Sequence, residues 1–320
     1  AIDQTDGKAL SVANVIDTEV SGMVADIRHN ITRQLVSNGD ALIAQFTTTS
    51  ATTPLNLVST GYGFDAIERG WLYPGLCVDI GSTSNEVVRA DAHFITAVSE
   101  VEATPTITVS TTNGGSAASL TTASTDYVSV ANARSGSTSY ETNGLRQIAG
   151  STSSAVGGLD PDTAGEEFWK PAHVDTTTTA LTLDLLLTLQ RKVHQKVGSA
   201  PSVVLTSLKQ QAQWYSLLQN QTRFTGESKI GAGNVDAASW NGMVVEAQND
   251  IPNRELYMLT FEDYFLVAPP GGPKWFSDQT GTKGLPWKQG YTSFVDGIAW
   301  RPNLAIRRRN GSASAIGLTA

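Results

Sequence analysis

The chain has 320 residues, enough for one large domain or two ordinary ones with a core of normal size. Only 16% of its residues are charged and 40% are hydrophobic, so its surface repels its own copies weakly and suits a protein packed against neighbours. A net charge of −8 and a pI near 5.0 exclude a protein that grips nucleic acid through a basic face, and the single cysteine, Cys77, excludes an intrachain disulfide.

In chain order, residues 11–37 carry Val12, Ile16, Val20, Met23, Val24, Ile27, Ile31 and Leu35 at three- and four-residue spacing, which predicts one long helix or two joined near Gly22. Residues 41–47 and 55–59 read as strands around a Thr/Ser/Pro loop, and 64–68 as a short helix. From Leu76 to Ala133 charge thins out and short runs at 87–88, 94–98, 106–109 and 127–130 alternate with Thr, Ser and Gly. That pattern predicts a small antiparallel barrel or sandwich, inserted between helical segments, with Asn113-Gly114-Gly115 as its hairpin or loop signal. Residues 138–175 read as a long mobile loop that ends in an apolar anchor of Phe168, Trp169 and Pro171, a composition that suggests binding.

The most regular stretch is 180–198. Leu181, Leu185, Leu189, Val193 and Val197 recur every fourth residue and Leu186 widens the stripe, so the spacing predicts an amphipathic helix. Thr176–Thr179 offer N-cap hydroxyls, Arg191, Lys192, His194 and Lys196 gather at the negative end of the dipole, and Gly198 supplies the stop. A buried strand follows at 202–206, and then a helix at 207–220 with Leu208, Trp214, Tyr215 and Leu218 inward. Beyond a Gly-rich loop at 226–233, strands are expected at 240–247, 256–261 and 264–267. Residues 291–302 and 303–309 are read as a closing pair, followed by a Gly/Ser/Ala tail. Arg307, Arg308 and Arg309 form the basic cluster, and as strand residues they alternate faces, which suits a solvated or interface edge better than a phosphate site.

Signatures of catalysis are missing. The sequence has no G-x-S-x-G elbow, P-loop or H-E-x-x-H, and Gly231-Ala-Gly233 and Gly61-Tyr-Gly63 lack the third glycine of a dinucleotide site. His29, His93, His173 and His194 are scattered and make no ligand pair with Cys77. Asp160/Asp162 and Glu166-Glu167 read as solvated acids of a Gly-rich loop. No cofactor, metal site or enzymatic activity is expected, and no apolar run approaches the ~20 residues of a membrane span.

Several motifs have a family character: G-L-D-P-D-T-A-G-E-E-F-W-K-P at 158–171, the helix at 181–197, W-N-G-M-V-V-E at 240–246, I-P-N-R-E-L-Y-M-L at 251–259 and D-G-I-A-W-R-P-N-L-A-I at 296–306. Through them the chain resembles the major capsid protein of tailed bacteriophages, of the HK97-type fold. The resemblance implies an α+β subunit. It has an N-terminal arm (1–40), a peripheral-domain segment (41–75), the inserted β-module (76–133), an extended loop (134–178), a spine helix and strand (179–206), an axial domain (207–287) and C-terminal strands (288–320). It further implies self-assembly into hexamers and pentamers of an icosahedral shell in the virion, built in the host bacterial cytoplasm. That shell encloses double-stranded DNA without sequence-specific binding, and portal, scaffolding and decoration proteins are its partners.

The residues expected at subunit interfaces are Leu159, Phe168, Trp169, Pro171, Arg307 and Arg309. Some members cross-link lysine to asparagine. The loop here offers only Lys170, beside the anchor and not at the tip, so that chemistry is not carried over. The competing expectation, from the Thr/Ser content and the β-module, is a β-rich secreted adhesive or surface-layer protein.

Overall fold

A computed structural model describes residues 9–47, 54–59, 63–83, 87, 89–150, 153–176, 179–219, 238–270, 272, 274–275 and 297–319. The chain divides into two compact units, one of Ala1–Arg33 with Leu266–Leu304 and the other of Gln34–Phe265 with Ala305–Ala320. The N-terminal periodicity produces one uninterrupted helix, α1 (Ala9–Val36), with no break at Gly22, where an added Cβ would meet nothing within 4 Å.

The larger unit opens with a six-stranded antiparallel sheet built from β1 (Leu42–Gln45), β2 (Leu55–Asn56), β3 (Cys77–Gly81), β4 (Ala90–Ser99), β5 (Thr106–Ser110) and β6 (Tyr127–Val130), in the order β1-β6-β3-β4-β5-β2. Its two end strands meet: Phe46 bridges Leu57, the Thr47 N–H donates to Asn56 O at 3.2 Å and the Val58 N–H to Gln45 O at 2.9 Å. The sheet is therefore closed into a small barrel, which removes its exposed edges. Ile43, Phe46, Leu55, Val78, Ile80, Ile95, Ile107 and Val128 fill it, and Ala66, Ile67 and Leu72, in and after the short helix α2 (Phe64–Glu68), pack against that core.

The barrel draws in β1 and β2, so the β-rich body starts at Leu42 and not at the composition shift at Leu76. Its strand β3, between β6 and β4, is not legible as a strand because Asp79 interrupts the apolar run. That carboxylate is buried and satisfied, accepting from the backbone N–H of Ala92 and of Asn132, each at 2.8 Å, two residues held at positive φ. Val87 lies in an exposed turn, Val88 lies outside the described residues, and Asn113-Gly114-Gly115 forms a turn in the long connection between β5 and β6.

A short hairpin of β7 (Arg134–Ser135) and β8 (Thr138–Ser139) follows β6. The second sheet of this unit is built from β9 (Ala172–Asp175), β10 (Val203–Thr206), β11 (Ala238–Trp240), β12 (Met243–Ala247), β13 (Glu255–Leu259) and β18 (Ala313–Ile316), in the order β11-β12-β10-β13-β18-β9. β10 runs parallel to β12 and antiparallel to β13, and β18 is antiparallel to β13 and parallel to β9. Both faces of β13 are covered, so all five of its residues are buried. Leu256 and Met258 join the core beneath α3 (Leu183–Val197) and α4 (Leu208–Gln219), while Tyr257 and Leu259 join Leu145, Ala149 and Ile251 on the other side.

Helix α3 buries Leu186, Leu189 and Val193 and ends at Gly198 in the left-handed region (φ 77°), as its sequence predicts; its N-cap, however, is Thr182, whose hydroxyl accepts from the Leu185 N–H at 3.2 Å. In α4, Trp214 is buried but Leu208 is 56% exposed, outward where the pattern predicts inward. The expected strand at 240–247 is a hairpin, because Asn241 (φ 48°) and Gly242 (φ 83°) make the left-handed two-residue turn that joins β11 to β12. The Gly-rich loop at 226–233 lies outside the described residues.

The terminal Ala/Ser/Gly stretch is not a tail. β18 is an interior strand of that sheet, with Ala313, Ser314 and Ala315 fully buried. Between β13 and β17 (Asn303–Ile306) the chain runs through β14 (Tyr264–Val267), which pairs with β17 in a two-stranded ribbon. In the smaller unit β15 (Lys274–Trp275) pairs with β16 (Ile298–Ala299), so residues 298–299 do not pair with 303–306 as the sequence suggests.

A polar joint binds the barrel to the second sheet. Arg69, buried just after α2, donates from Nε and Nη2 to Ile251 O (3.1 and 2.5 Å) and from Nη2 to Asn253 Oδ1 (3.0 Å), while Asn253 Nδ2 donates to Asp65 Oδ1 (3.1 Å) and Glu68 Oε2 (2.5 Å). Burial raises the Asp65 carboxyl above its usual range. The Arg69 guanidinium opposes this shift, and the Glu255 and Glu68 carboxylates reinforce it. A raised folded-state pKa gives a stability contribution that is complete below the unfolded value and lost as pH rises through the folded one. Asp65→Asn keeps the Oδ1 acceptor and replaces Oδ2, which has no partner. The variant is expected to melt above the parent at pH 7, with the difference closing as pH falls to about 4; melting curves across that range check it.

Candidate assembly interface

The stretch 154–175 is a folded platform, not a mobile loop. Gly157 and Gly158, at φ 66° and 82°, close a two-residue turn in which Val156 and Leu159 exchange backbone hydrogen bonds of 3.0 and 3.3 Å. Of the acids read as solvated, Asp162 and Glu167 are exposed as expected, and Asp160, Glu166 and Glu167 also act as local staples. Glu166 Oε2 accepts from the Asp160 N–H at 2.6 Å, Asp160 Oδ1 from the Asp162 N–H at 3.0 Å, and Glu167 Oε2 from the Gly165 N–H at 2.9 Å. Helix α3 holds the far end: Lys196 Nζ donates to Lys170 O at 2.7 Å and to Pro171 O at 3.2 Å. From there the chain enters β9 at the sheet edge.

The adjacent aromatics part company on this platform. Trp169 is 9% exposed and its indole N–H donates to Val156 O at 3.0 Å, whereas Phe168 is 60% exposed. Pro171 is buried and Leu159 half-buried. Trp169 thus anchors the loop to its own subunit and Phe168 is the side chain presented outward. Trp169→Phe is expected to cost about 0.5–1.5 kcal/mol through the lost bond to Val156 O, which keeps only the 3.3 Å bond from the Leu159 N–H. Limited proteolysis is the measurement, with cleavage appearing within residues 153–171 and not in the barrel.

The arginine triplet divides in the same way. Arg307 is exposed and lies over the Phe265 ring at 5.2 Å; Arg308 Nε meets the buried Asp263 carboxylate at 3.0 and 3.1 Å. Arg309 is fully buried and donates from Nε to Ile148 O (2.7 Å), from Nη1 to Ser154 O (2.6 Å) and from Nη2 to Gln147 O (2.9 Å). Burial lowers its pKa to about 10, and Tyr264 and Asp160 pull the other way, so it stays charged at neutral pH. No phosphate-sized basic patch results, because one guanidinium faces out, one is neutralised and one is spent on carbonyls.

Behind the platform the five-residue π-helical turn Arg146–Gly150 packs on the sheet. Arg146 pairs with the buried Glu255 at 2.9 Å, and Ser314 Oγ donates to Ala149 O at 2.7 Å while facing His173 Nδ1 at 2.8 Å. With the serine proton committed to Ala149, Nδ1 of His173 is the donor in that contact. Burial lowers the His173 pKa, and Lys192 and Arg146 add to it against Asp175. Sequence reasoning misses this layer, since its signal is only an apolar Leu145, Ile148 and Ala149 inside a Gly/Ser-rich stretch.

Among the described residues no three His, Cys, Asp or Glu side chains lie together so as to hold a metal ion, and no helix is long and apolar enough to cross a membrane.

Residues 119–245 match the family model of the SU10 major capsid protein, a span that takes in the folded platform, α3, β10 and the β11–β12 hairpin. Over that span the resemblance to a tailed-phage major capsid protein is shown. No curated protein sequence matches the chain. Among solved structures it is similar to the capsid asymmetric unit of cyanophage A-1(L), with 14% identity over 57% of this chain and 62% of that one and a TM-score of 0.43. It is also similar to a chain of mycobacterium phage Patience (16% identity, 59% and 56% covered, TM-score 0.32). A third likeness is to the holo-SrpI encapsulin complex of Synechococcus elongatus (15% identity, 46% and 52% covered, TM-score 0.25). The chain spans less than two thirds of the length of each of these relatives.

Proposed function

We propose that this chain is the major capsid protein of a tailed bacteriophage. It has an HK97-type subunit that assembles with its own copies into the hexamers and pentamers of an icosahedral shell around double-stranded DNA. The observation that carries the reading is the family match over residues 119–245, because it falls on the elements that the sequence resemblance assigns to the extended loop and the spine. In that assignment α3 is the spine helix, residues 134–178 take the part of the extended loop, 207–287 supply the axial domain and 1–40 the N-terminal arm. The barrel, counted from Leu42, is an addition to the minimal fold.

The role is mechanical and not catalytic. Many modest contacts between copies add up because each subunit makes them with several neighbours at once. Phe168 and Arg307 are the interface residues of first choice, being the outward members of the set; Leu159 and Pro171 shape the platform, and Trp169 and Arg309 hold it from within. Scaffolding, portal and decoration proteins are the expected partners, and the virion the expected location.

Negative-stain microscopy of the purified full chain tests the proposal. Rings or shells are the expected result, and a species that stays monomeric at high concentration overturns it.

A further inference from the structure

Helix α3 has a second face, opposite the one that buries Leu186, Leu189 and Val193. On it Asp184, Leu187, Thr188, Arg191, His194 and Gln195 follow mostly at three- and four-residue steps, so they share one stripe of the helix. Thr188 is half-buried and the other five are exposed. The stripe lines an open groove of about 620 Å³, and the β11–β12 turn forms a bank of it, with Asn241 Nδ2 donating to Gln190 Oε1 at 2.7 Å. Leu187, 51% exposed, supplies a large apolar side chain midway along the stripe. Among the described residues neither Asp184 nor Arg191 makes an ion pair within its own subunit.

We propose that this face pairs with the same face of a second copy of the chain, the two α3 helices running antiparallel about a two-fold axis that passes beside Leu187 and Thr188. The inference rests on the reading of the chain as a subunit that assembles with its own copies. Its warrant is the order of charges. The midpoint of Asp184 and Arg191 falls between 187 and 188, so an antiparallel helix centred there sets Asp184 of each copy against Arg191 of the other and brings the two Leu187 side chains together. A parallel pairing instead sets like charge on like at both ends and aligns the helix dipoles. His194 falls opposite residue 181, where it meets no like charge. Exposed ion pairs of this kind add little energy, but they fix direction and register. A strip about 16 Å long and about 10 Å wide is far below the area of about 800 Å² per partner that a stable interface buries. The contact therefore does not hold two free chains together, and counts where other contacts already bring copies side by side.

Cysteine cross-linking of the full chain tests the pairing, because a two-fold contact brings a residue beside the axis against its own copy and a head-to-tail contact does not. Packed helices bring facing residues within disulfide reach. Oxidised where the parent assembles, Leu187→Cys is expected to give a disulfide-linked dimer on a non-reducing gel, and Thr188→Cys the same. Asp184→Cys is expected to give none, since its two copies stand about 10 Å apart along the helices. The parent, with Cys77 alone, sets the background. No dimer from either Leu187→Cys or Thr188→Cys, or equal cross-linking from Asp184→Cys, overturns the pairing. Particles that form without the cross-link leave the capsid reading standing, whereas a chain that yields neither overturns both.

Discussion

Arg309→Met is expected to destabilise the unassembled chain by about 3–5 kcal/mol, among the largest effects of any single substitution. The guanidinium is fully buried and its three donor nitrogens serve Gln147 O, Ile148 O and Ser154 O, so it staples the segment before the platform to the C-terminal strands. Methionine fills much of the volume but takes this donor from the buried Ile148 carbonyl and from the part-buried Gln147 and Ser154 carbonyls, and a buried acceptor that loses its donor costs about 1–3 kcal/mol. Arg309→Lys is expected to recover little, because one ammonium cannot copy a planar fork aimed at three carbonyls. Urea denaturation of parent and variants, with the midpoint as readout, checks both; a midpoint for Arg309→Met near that of the parent would contradict the staple.

What the sequence conveys depends on how far each side chain's role is local. Helix α3 is legible because its apolar stripe has the helical period and its stop is a glycine, and both facts act within a few residues. Helix α2 and strands β6 and β14 fall on their expected residues for the same reason. Strand β18 is illegible because A-S-A-I is short and weak in strand preference. Its burial comes from α3 on one face and the 146–150 turn on the other, neither of which is near it in sequence, and small side chains are what let both approach. Asp79 hides β3 in a similar way, since its partners at Ala92 and Asn132 are distant. At the candidate interface the composition locates the platform but does not tell Phe168 from Trp169. The difference is made by one carbonyl, that of Val156, which gives the indole N–H a buried partner that a phenyl ring cannot use.

Phe168→Asp is expected to abolish particle formation at concentrations where the parent assembles, while circular dichroism and the melting temperature of the unassembled chain stay as they are. The reasoning rests on the contrast with its neighbour. Phe168 is 60% exposed, so a change there removes little that the monomer uses, and surface substitutions of this kind stay within about 0.5 kcal/mol. The platform beneath it is fixed by its own hydrogen bonds, so the ring is presented without much ordering cost, which is what makes an aromatic a strong contact. An aromatic anchor truncated at the centre of an interface costs about 2–4 kcal/mol per contact, and a shell repeats that loss at every equivalent contact. An aspartate adds repulsion beside Asp162 and Glu167, both exposed on the same platform. Phe168→Tyr keeps the ring and is expected to assemble. Trp169→Phe should show the opposite pattern, a weakened platform in the monomer with the exposed ring intact. Sedimentation and negative-stain images of the three variants side by side separate the two roles; normal particles from Phe168→Asp would remove this residue from the interface.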